Sequence, residues 1–570
     1  MGRLAAVGLL GSPRARDAHR PGPSDADGRV PKDPSRSASP TRPARDRPLL
    51  LGVLAVAVAL TAFGLARHAM WFDELQAWNI ARASRSIPDL FHHLRYEGHP
   101  AAWYLVLYAV TRVTGDPRAM QGVELLIVAG TYAVVLFASP FSKPLRVALL
   151  AGYTLSFEYG VISRGYGLGV LTLVATLALL GRPRPRWKWA LVTAGILAWT
   201  SLAGTVVALA LAGAVAGRAT RATRADPLST PGPGRDRRWF VAGTGVAAVA
   251  AALTCIPPAD FHAFTPSVST VATGGAGGWT RVLTAATGTW RGLVPIPSRL
   301  GAWNSQVLDR LPAAPWVEAG LSIVVVVLMA GALRRCPTAR RLWLLGSGAV
   351  FVFFAVVVVP DQARYAATTF LVFLGAAWWA LAPPGAPGDA SDTTVTPVPT
   401  RSSRRLHQLI TVVVAAQVVA VLAVYPSQTA RRFAPNQAVA DVVRAAGLQN
   451  HLVSGQDFDA TSVGAYLDRP VYSVARHAWI RYFIHDDREA RRFGTLRVAD
   501  VLCTARQLAR TAHHATVVIT EGPLPRLGPG ITRMVTVDHV EVVRVSTDAV
   551  VAGCANTANP SAPRALGTAG

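Results

Sequence analysis

The chain has 570 residues, of which 51% are hydrophobic and only 16% charged, and its mean hydropathy is +0.32; this is too apolar for an ordinary soluble protein. Its net charge of +25 sits mainly in a tail and in short loops between apolar runs. That is the pattern of cytoplasmic loops beside anionic lipid, and it argues against nucleic acid as a partner. Several apolar runs approach the ~20 residues needed to cross ~30 Å of hydrocarbon as a helix, so the fold class is a polytopic all-α membrane protein.

Residues 1–48, rich in Arg, Pro, Ser and Asp, read as a disordered cytoplasmic tail. A signal peptide is the competing reading, but its charged leader is normally short. The first span covers Leu49 to Arg67. Ala101–Val113 is apolar over only about 13 residues, short for a crossing. Counted as a span, it would put Lys143, Arg146 and Arg182–Lys188 outside, against the positive-inside rule. It is therefore read as a helix lying on the outer surface.

Further spans follow at Gln121–Ser139, Val147–Ile162 and Tyr166–Gly181. Trp189–Gly217 is too long for one crossing and divides near Thr200–Gly204 into two. Trp239–Ile256 leads to a large outer loop, 257–315, and Trp316–Leu333, Leu342–Val359 and Ala366–Leu381 continue the series. A Pro- and Thr-rich linker, 383–405, precedes the last span, Leu406–Tyr425. The total is about eleven transmembrane helices over residues 49–425. Every short Arg-rich loop then lies on one side.

Residues 426–554 read as a small extracytoplasmic α/β domain. A helix at Asn436–Ala446 is stopped by Gly447, strands are expected at His451–Ser454, Val471–Val474, Thr516–Thr520 and His539–Val545, and a helix at Val498–Arg510. The tail 555–570 is expected to be disordered. None of the four cysteines has metal-ligand spacing. Cys503 and Cys554 both fall in this domain, so a disulfide is expected there if it is extracytoplasmic, two buried free thiols being the alternative.

The polar motifs collect on the outer side, chiefly in the first outer loop, 68–118. Met70-Trp71-Phe72-Asp73-Glu74-Leu75 sets two adjacent carboxylates where a span leaves the bilayer, suited to a general base or a metal ligand, or simply to a helix start. Tyr96-Glu97-Gly98-His99-Pro100 opens the surface helix. Trp71, Trp78, Trp103 and Tyr104 form an aromatic belt or a sugar-stacking surface. Phe157-Glu158 through Ser163-Arg164-Gly165-Tyr166, and Pro360-Asp361 through Arg364-Tyr365, each bring an acid and an arginine near hydrocarbon, to pair locally or with a ligand. Glu124 reads as snorkelling to the lipid interface or packing.

The order of these motifs over residues 49–381 resembles the GT-C glycosyltransferases, and more narrowly the group containing protein O-mannosyltransferases and the aminoarabinose transferase of lipid A (glycosyltransferase families 39 and 83). His99-Pro100-Ala101-Ala102 stands where many relatives have His-Pro-Pro-Leu, and Gly160-Val161-Ile162-Ser163 where they often have Ser-Arg-Glu-Ala. The resemblance implies an enzyme of the cell (plasma or inner) membrane with a cytoplasmic N-terminus. Such an enzyme takes a sugar from a polyprenyl-phosphate donor and passes it, with inversion, to an extracytoplasmic hydroxyl on a glycan, lipid or protein acceptor. Asp73 is then the candidate base, with Glu74 orienting it or the acceptor. His99, Arg164 and Arg364 are the candidate cations for the donor phosphate, and Tyr104, Glu158, Tyr166 and Tyr365 the substrate contacts. Loop 257–315, with Trp279, Arg281, Trp290 and Arg291, would be either a mobile lid or a fixed cover. A divalent metal is compatible with these residues but not required, and no cofactor is assigned. Two other readings are a transporter or flippase of lipid-linked glycan, disfavoured by the lack of internal repeats and of mid-membrane charges, and a glycan polymerase or non-catalytic cell-envelope scaffold.

Overall fold

The computed structural model describes residues 42–182, 184–217, 232–261, 276–301, 303–358, 362–382, 401–488, 496–522, 524, 527–552 and 554. Most of the expected N-terminal tail, most of the linker 383–405 and the expected tail 555–570 lie outside the described residues. Residues 1–49 form one unit, described only from residue 42 as helix; residues 50–570 form a second.

The chain is mostly helical. Helix α1 spans Arg42–Arg67, and short helices α2 (Phe72–Ala83), α3 (Ile87–Leu94) and α4 (Ala102–Thr111) follow it. Then come α5 (Arg118–Ala138), α6 (Lys143–Leu150), α7 (Gly165–Leu180), α8 (Trp187–Thr200), α9 (Leu202–Ala216) and α10 (Gly232–Thr254). The helical part closes with α11 (Ala276–Leu293), α12 (Ala314–Ala332), α13 (Pro337–Val356), α14 (Ala363–Leu381) and α15 (Arg401–Ala430). Among the described residues, five helices are long and apolar enough to cross a membrane: α1, α5, α12, α13 and α15. At 10 residues α4 is too short to cross.

One departure from the sequence reading, and the outcome of two alternatives it left open, have local causes. The expected span 147–162 is not one helix: α6 stops at Leu150, a wide π-helical turn occupies Thr154–Glu158, and irregular chain runs to Arg164. The break is held by Gln417 of α15, whose Oε1 accepts from Thr154 N at 3.0 Å and Thr154 Oγ1 at 2.9 Å; a side chain here takes a backbone N–H that continuous helix would satisfy itself. Second, loop 257–315 contains α11, which is packed in place. Arg281 Nε donates to Ala355 O at 2.7 Å, Ser322 Oγ accepts from Trp290 N at 2.9 Å, and Ala285 and Leu293 are in the helical core. The described part of this loop is thus a fixed element. Third, Glu124 does not snorkel. It is fully buried, and its carboxyl fills the space where a side chain at Gly167 would sit.

After α15 come α16 (Asn436–Ala445), β1 (Leu452–Ser454), α17 (Asp457–Leu467), β2 (Val471–Ser473), β3 (Ala478–Ile480), α18 (Val498–Ala512), β4 (Thr516–Glu521), β5 (Ile531–Val537) and β6 (Val540–Val545). The six strands form one sheet in the order β3-β2-β1-β4-β6-β5. β1 runs parallel to β2 and β4, and the remaining pairs are antiparallel. A disulfide joins Cys503 on α18 to Cys554.

The sheet region packs through α17 and the chain after β3 onto α2. Asn79 Nδ2 donates to Thr461 O at 2.9 Å and Met70 N to the Tyr466 hydroxyl at 3.0 Å. Phe72 stacks on Phe458 at 3.7 Å, and the Gln76 amide pairs with both backbone groups of Phe483 at 2.7 and 3.0 Å. One hydrophobic cluster runs from Leu75, Trp78 and Leu107 to Val439, Val463 and Val517. The loop carrying Asp73 is therefore clamped between helices and sheet.

Candidate active site

Two adjacent acids in the first turn of α2 have different tasks. Glu74 is fully buried, and both its oxygens are engaged: Oε2 accepts from His68 Nε2 at 2.7 Å and Trp71 N at 3.2 Å, Oε1 from Ser163 N at 2.7 Å. It ties the start of α2 to the irregular chain before α7. With its oxygens so committed, Glu74 holds the site together and does not reach an acceptor. Its neighbour Asp73 opens onto two arginines. Asp73 Oδ2 lies 2.7 Å from Arg164 Nη1 and accepts a short hydrogen bond from Arg364. The residues brought together are separated by 91 and 291 positions in the chain, the second value being that of the Arg364 contact.

The arginines are themselves seated on rings. Arg364 lies over Trp71 at 5.0 Å and Tyr365 at 4.8 Å, and Arg164 over Tyr166 at 5.7 Å. Tyr166 stacks on Tyr159 at 5.0 Å, whose hydroxyl donates to the Arg364 carbonyl. The local Glu158–Arg164 pair, one of the alternatives open in the sequence, does not form. Glu158 instead accepts from the Tyr153 hydroxyl at 2.8 Å and Trp303 Nε1 at 2.9 Å, leaving Arg164 to Asp73. Asp361 lies outside the described residues. Of the loop residues expected near the site, Arg281 binds backbone carbonyls of α13 and Arg291 pairs with Glu318 and Asp309. Trp303 reaches in, edge-on to Trp71 at 5.3 Å.

His99 Nε2 lies 3.2 Å from Arg164 Nη2. An arginine only donates, so this ring nitrogen accepts and the imidazole is neutral. Burial and then the charge of Arg164 push the His99 pKa down to about 3. In this geometry His99 is a neutral acceptor that orients Arg164. For Asp73, burial raises the pKa, but Arg364 and Arg164 outweigh it and hold the carboxyl below its ordinary value. Glu97 is the opposite case. Burial lifts its pKa to about 7 despite a hydrogen bond from Gln76 Nε2 at 2.8 Å and the nearby charge of Arg164.

A small pocket beside Arg164 is lined by His99, Tyr104, Tyr166, Thr200 and Ser201, the last two at the junction of α8 and α9. On neighbouring positions of the same helices, Ala102, Leu105, Ile196 and Trp199, with Gly243 and Ala247, line an apolar groove between α4, α8 and α10. Trp71 Nε1, Trp103 Nε1 and Arg364 Nε are buried donors with no acceptor. Buried donors of this kind suit an oxygen-rich ligand.

The sequence reading missed Glu97, Trp303, Thr200, Ser201 and His485. His485 comes from the sheet region, its ring 4.8 Å from Phe483, and burial pushes its pKa down to about 4. Glu97 had a signal, since it sits in the Tyr96–His99 motif; the others carry no periodicity or spacing that marks them.

No protein-family model and no curated protein matches the chain. Among solved structures, ArnT from Cupriavidus metallidurans bound to undecaprenyl phosphate is similar at 15% sequence identity and a TM-score of 0.46, over 87% of this chain and 98% of that one. ArnT in the apo state is similar at 15% identity and a TM-score of 0.39, over 88% and 99% of the two chains.

Proposed function

We propose that the chain is a membrane glycosyltransferase that moves a sugar from a polyprenyl-phosphate donor to an extracytoplasmic hydroxyl, with inversion at the anomeric carbon. One observation carries the reading: two ring-seated guanidiniums, Arg164 and Arg364, converge on the single carboxylate of Asp73. Beside them lies an apolar groove of the kind a prenyl chain would occupy.

In the resting site Asp73 holds the position of an anion between the two arginines. A donor phosphate competes for the same guanidiniums, to which planar bidentate contact is well suited. As phosphate draws the arginines away, the Asp73 pKa rises from its depressed value, and the carboxylate becomes a better proton acceptor. The acceptor oxygen then bonds to the anomeric carbon from the face opposite the phosphate. The carbon–oxygen bond to phosphate breaks with its electron pair, and the hydroxyl proton passes to Asp73. Arg164 and Arg364 stabilise the charge that develops on the leaving phosphate. Tyr104 and Tyr166 line the pocket that would take the sugar, Tyr365 seats Arg364, and Glu158 keeps Trp303 in place.

A second assignment of the base has its own support. Burial pushes the Glu97 pKa up to about 7, a better match to a base working near neutral pH than the depressed Asp73. Purified full-length protein, assayed for release of polyprenyl phosphate from a panel of polyprenyl-phosphate sugars, separates the two. Asp73→Asn is expected to lower turnover by about 10²–10⁴-fold with the melting profile kept, and Glu97→Gln to lower it far less. Full activity in Asp73→Asn removes Asp73 as base. A wild-type chain that turns over no donor but moves labelled lipid across vesicles would replace the transferase by a flippase.

A further inference from the structure

Away from the Asp73 pocket, the register of the sheet gathers three metal-ligating side chains at one corner. Glu521 ends β4 and is paired with Val540 of β6. His539 closes the β5–β6 hairpin, where Asp538 takes a left-handed φ of 53° and Gly522 N donates to His539 O at 2.9 Å. Asp459 comes from the first turn of α17. One ligand atom from each of the three residues lies within 4.8 Å of the others.

Asp459 is the informative member. It is 7% exposed, and its Oδ2 is buried without a hydrogen bond, facing His539 Nε2 at 3.4 Å. A first-turn acid ordinarily serves the helix N–H groups, but this oxygen turns to Glu521 and His539. Two carboxylates facing one another in partial burial repel unless a proton or a cation lies between them. The other two ligands are exposed, which leaves an entry path from solvent.

We propose that Asp459, Glu521 and His539 bind one divalent first-row cation, of the Mn²⁺ or Zn²⁺ class. Two carboxylate oxygens and one imidazole nitrogen suit these ions, and three protein ligands leave positions for water. The ion would join the start of α17 to the end of β4 and the β5–β6 turn. Phe458, next to Asp459, stacks on Phe72, next to Asp73; the cation would thus brace the clamp on the Asp73 loop from behind. The proposal stands apart from the transferase reading, because binding is measured without turnover.

The test is Mn²⁺ titration of chelator-treated, full-length protein in detergent, followed by the loss of the free-ion electron paramagnetic resonance signal. One tight Mn²⁺ per chain is expected, displaced by Zn²⁺. His539→Ala removes an exposed ligand without touching the core and is expected to weaken binding by about 10–100-fold or more, as is Asp459→Asn. Wild-type protein that binds no Mn²⁺ or Zn²⁺, or His539→Ala that binds as wild type does, would overturn the proposal.

Discussion

Asp73 and Glu97 are both acids in the loop 68–101, yet their surroundings drive them in opposite directions. Arginines at 2.7 Å or closer keep Asp73 ionised, while burial keeps Glu97 protonated up to about pH 7. The sign of the consequence is fixed. The folded Glu97 pKa lies above its ordinary 4.5, so the folded state holds this proton to higher pH than the unfolded state does. Its contribution is complete below about 4.5 and is lost as pH rises through about 7. Glu97→Gln, which stays neutral, should therefore gain melting temperature relative to wild type at pH 8 and not at pH 4. An equal difference at both values would show that Glu97 does not titrate in this window. At Arg364 the cation's shape matters as well as its charge, because the guanidinium lies on Trp71 and Tyr365. Arg364→Lys keeps the charge but loses the fork, and should raise the KM for the polyprenyl-phosphate donor about tenfold, or ~1.4 kcal/mol, more than the KM for the acceptor. Asp73, Arg164 and Arg364 were legible in the sequence because charged residues at the ends of apolar runs stand out. That Arg164 meets Asp73 was not legible, since proximity along the chain favoured Glu158.

Among the elements, the long uniform helices were the readable ones. The division at Ser201 also was, since its hydroxyl caps α9 by accepting from Gly204 N at 2.9 Å. The π-helical turn at Thr154–Glu158 was not, because it depends on Gln417, more than 250 positions away. α17 was missed for the reverse reason: it is buried nearly all round, from Asp457 to Tyr466, so no polar face alternates with an apolar one. β3 has only three residues, and β5 carries an irregularity between Arg533 and Val535 that breaks its alternation. The irregular segment before α7 is held to α2 by Glu74, so Glu74→Ala should unseat Arg164 and leave Ser163 N, Trp71 N and His68 without an acceptor. A loss of about 3–5 kcal/mol is expected for such a buried partner, read as a lower melting temperature together with lost activity. A variant that melts as wild type does would assign Glu74 a different role. The Cys503–Cys554 bond closes 51 residues; in the chain-entropy account its removal by Cys503→Ser with Cys554→Ser costs about 4 kcal/mol. Limited proteolysis should then cut the sheet region at lower denaturant concentration.

At the level of the molecule, one geometric fact orders the threading. The end of α1 is tied to the start of α5 by Gln121, which donates to Leu65 O at 2.8 Å and His68 O at 3.0 Å. The same end of the helices holds Arg164 before α7, Ser201 between α8 and α9, and Arg364 at the start of α14. The end of α15 joins them through Gly301, whose N donates to Ala423 O at 2.9 Å. The opposite loops carry Lys143 and Arg146, Arg182 to Lys188, and Arg334 to Arg341. Those cations fall on the side away from the site, as the positive-inside rule requires if the site faces outward. On this rule alone the site faces outward, and labelling tests it. Single-cysteine labelling with a membrane-impermeant maleimide in intact cells, in a background with Cys255 and Cys336 changed to Ser, reads this directly. Asp441→Cys on α16, whose side chain is 53% exposed, should label, and Arg182→Cys should label only after the membrane is opened. Labelling at 182 in sealed cells would reverse the orientation of α7 and α8, set the Asp73 pocket on the cytoplasmic face, and remove the extracytoplasmic acceptor from the proposed reaction.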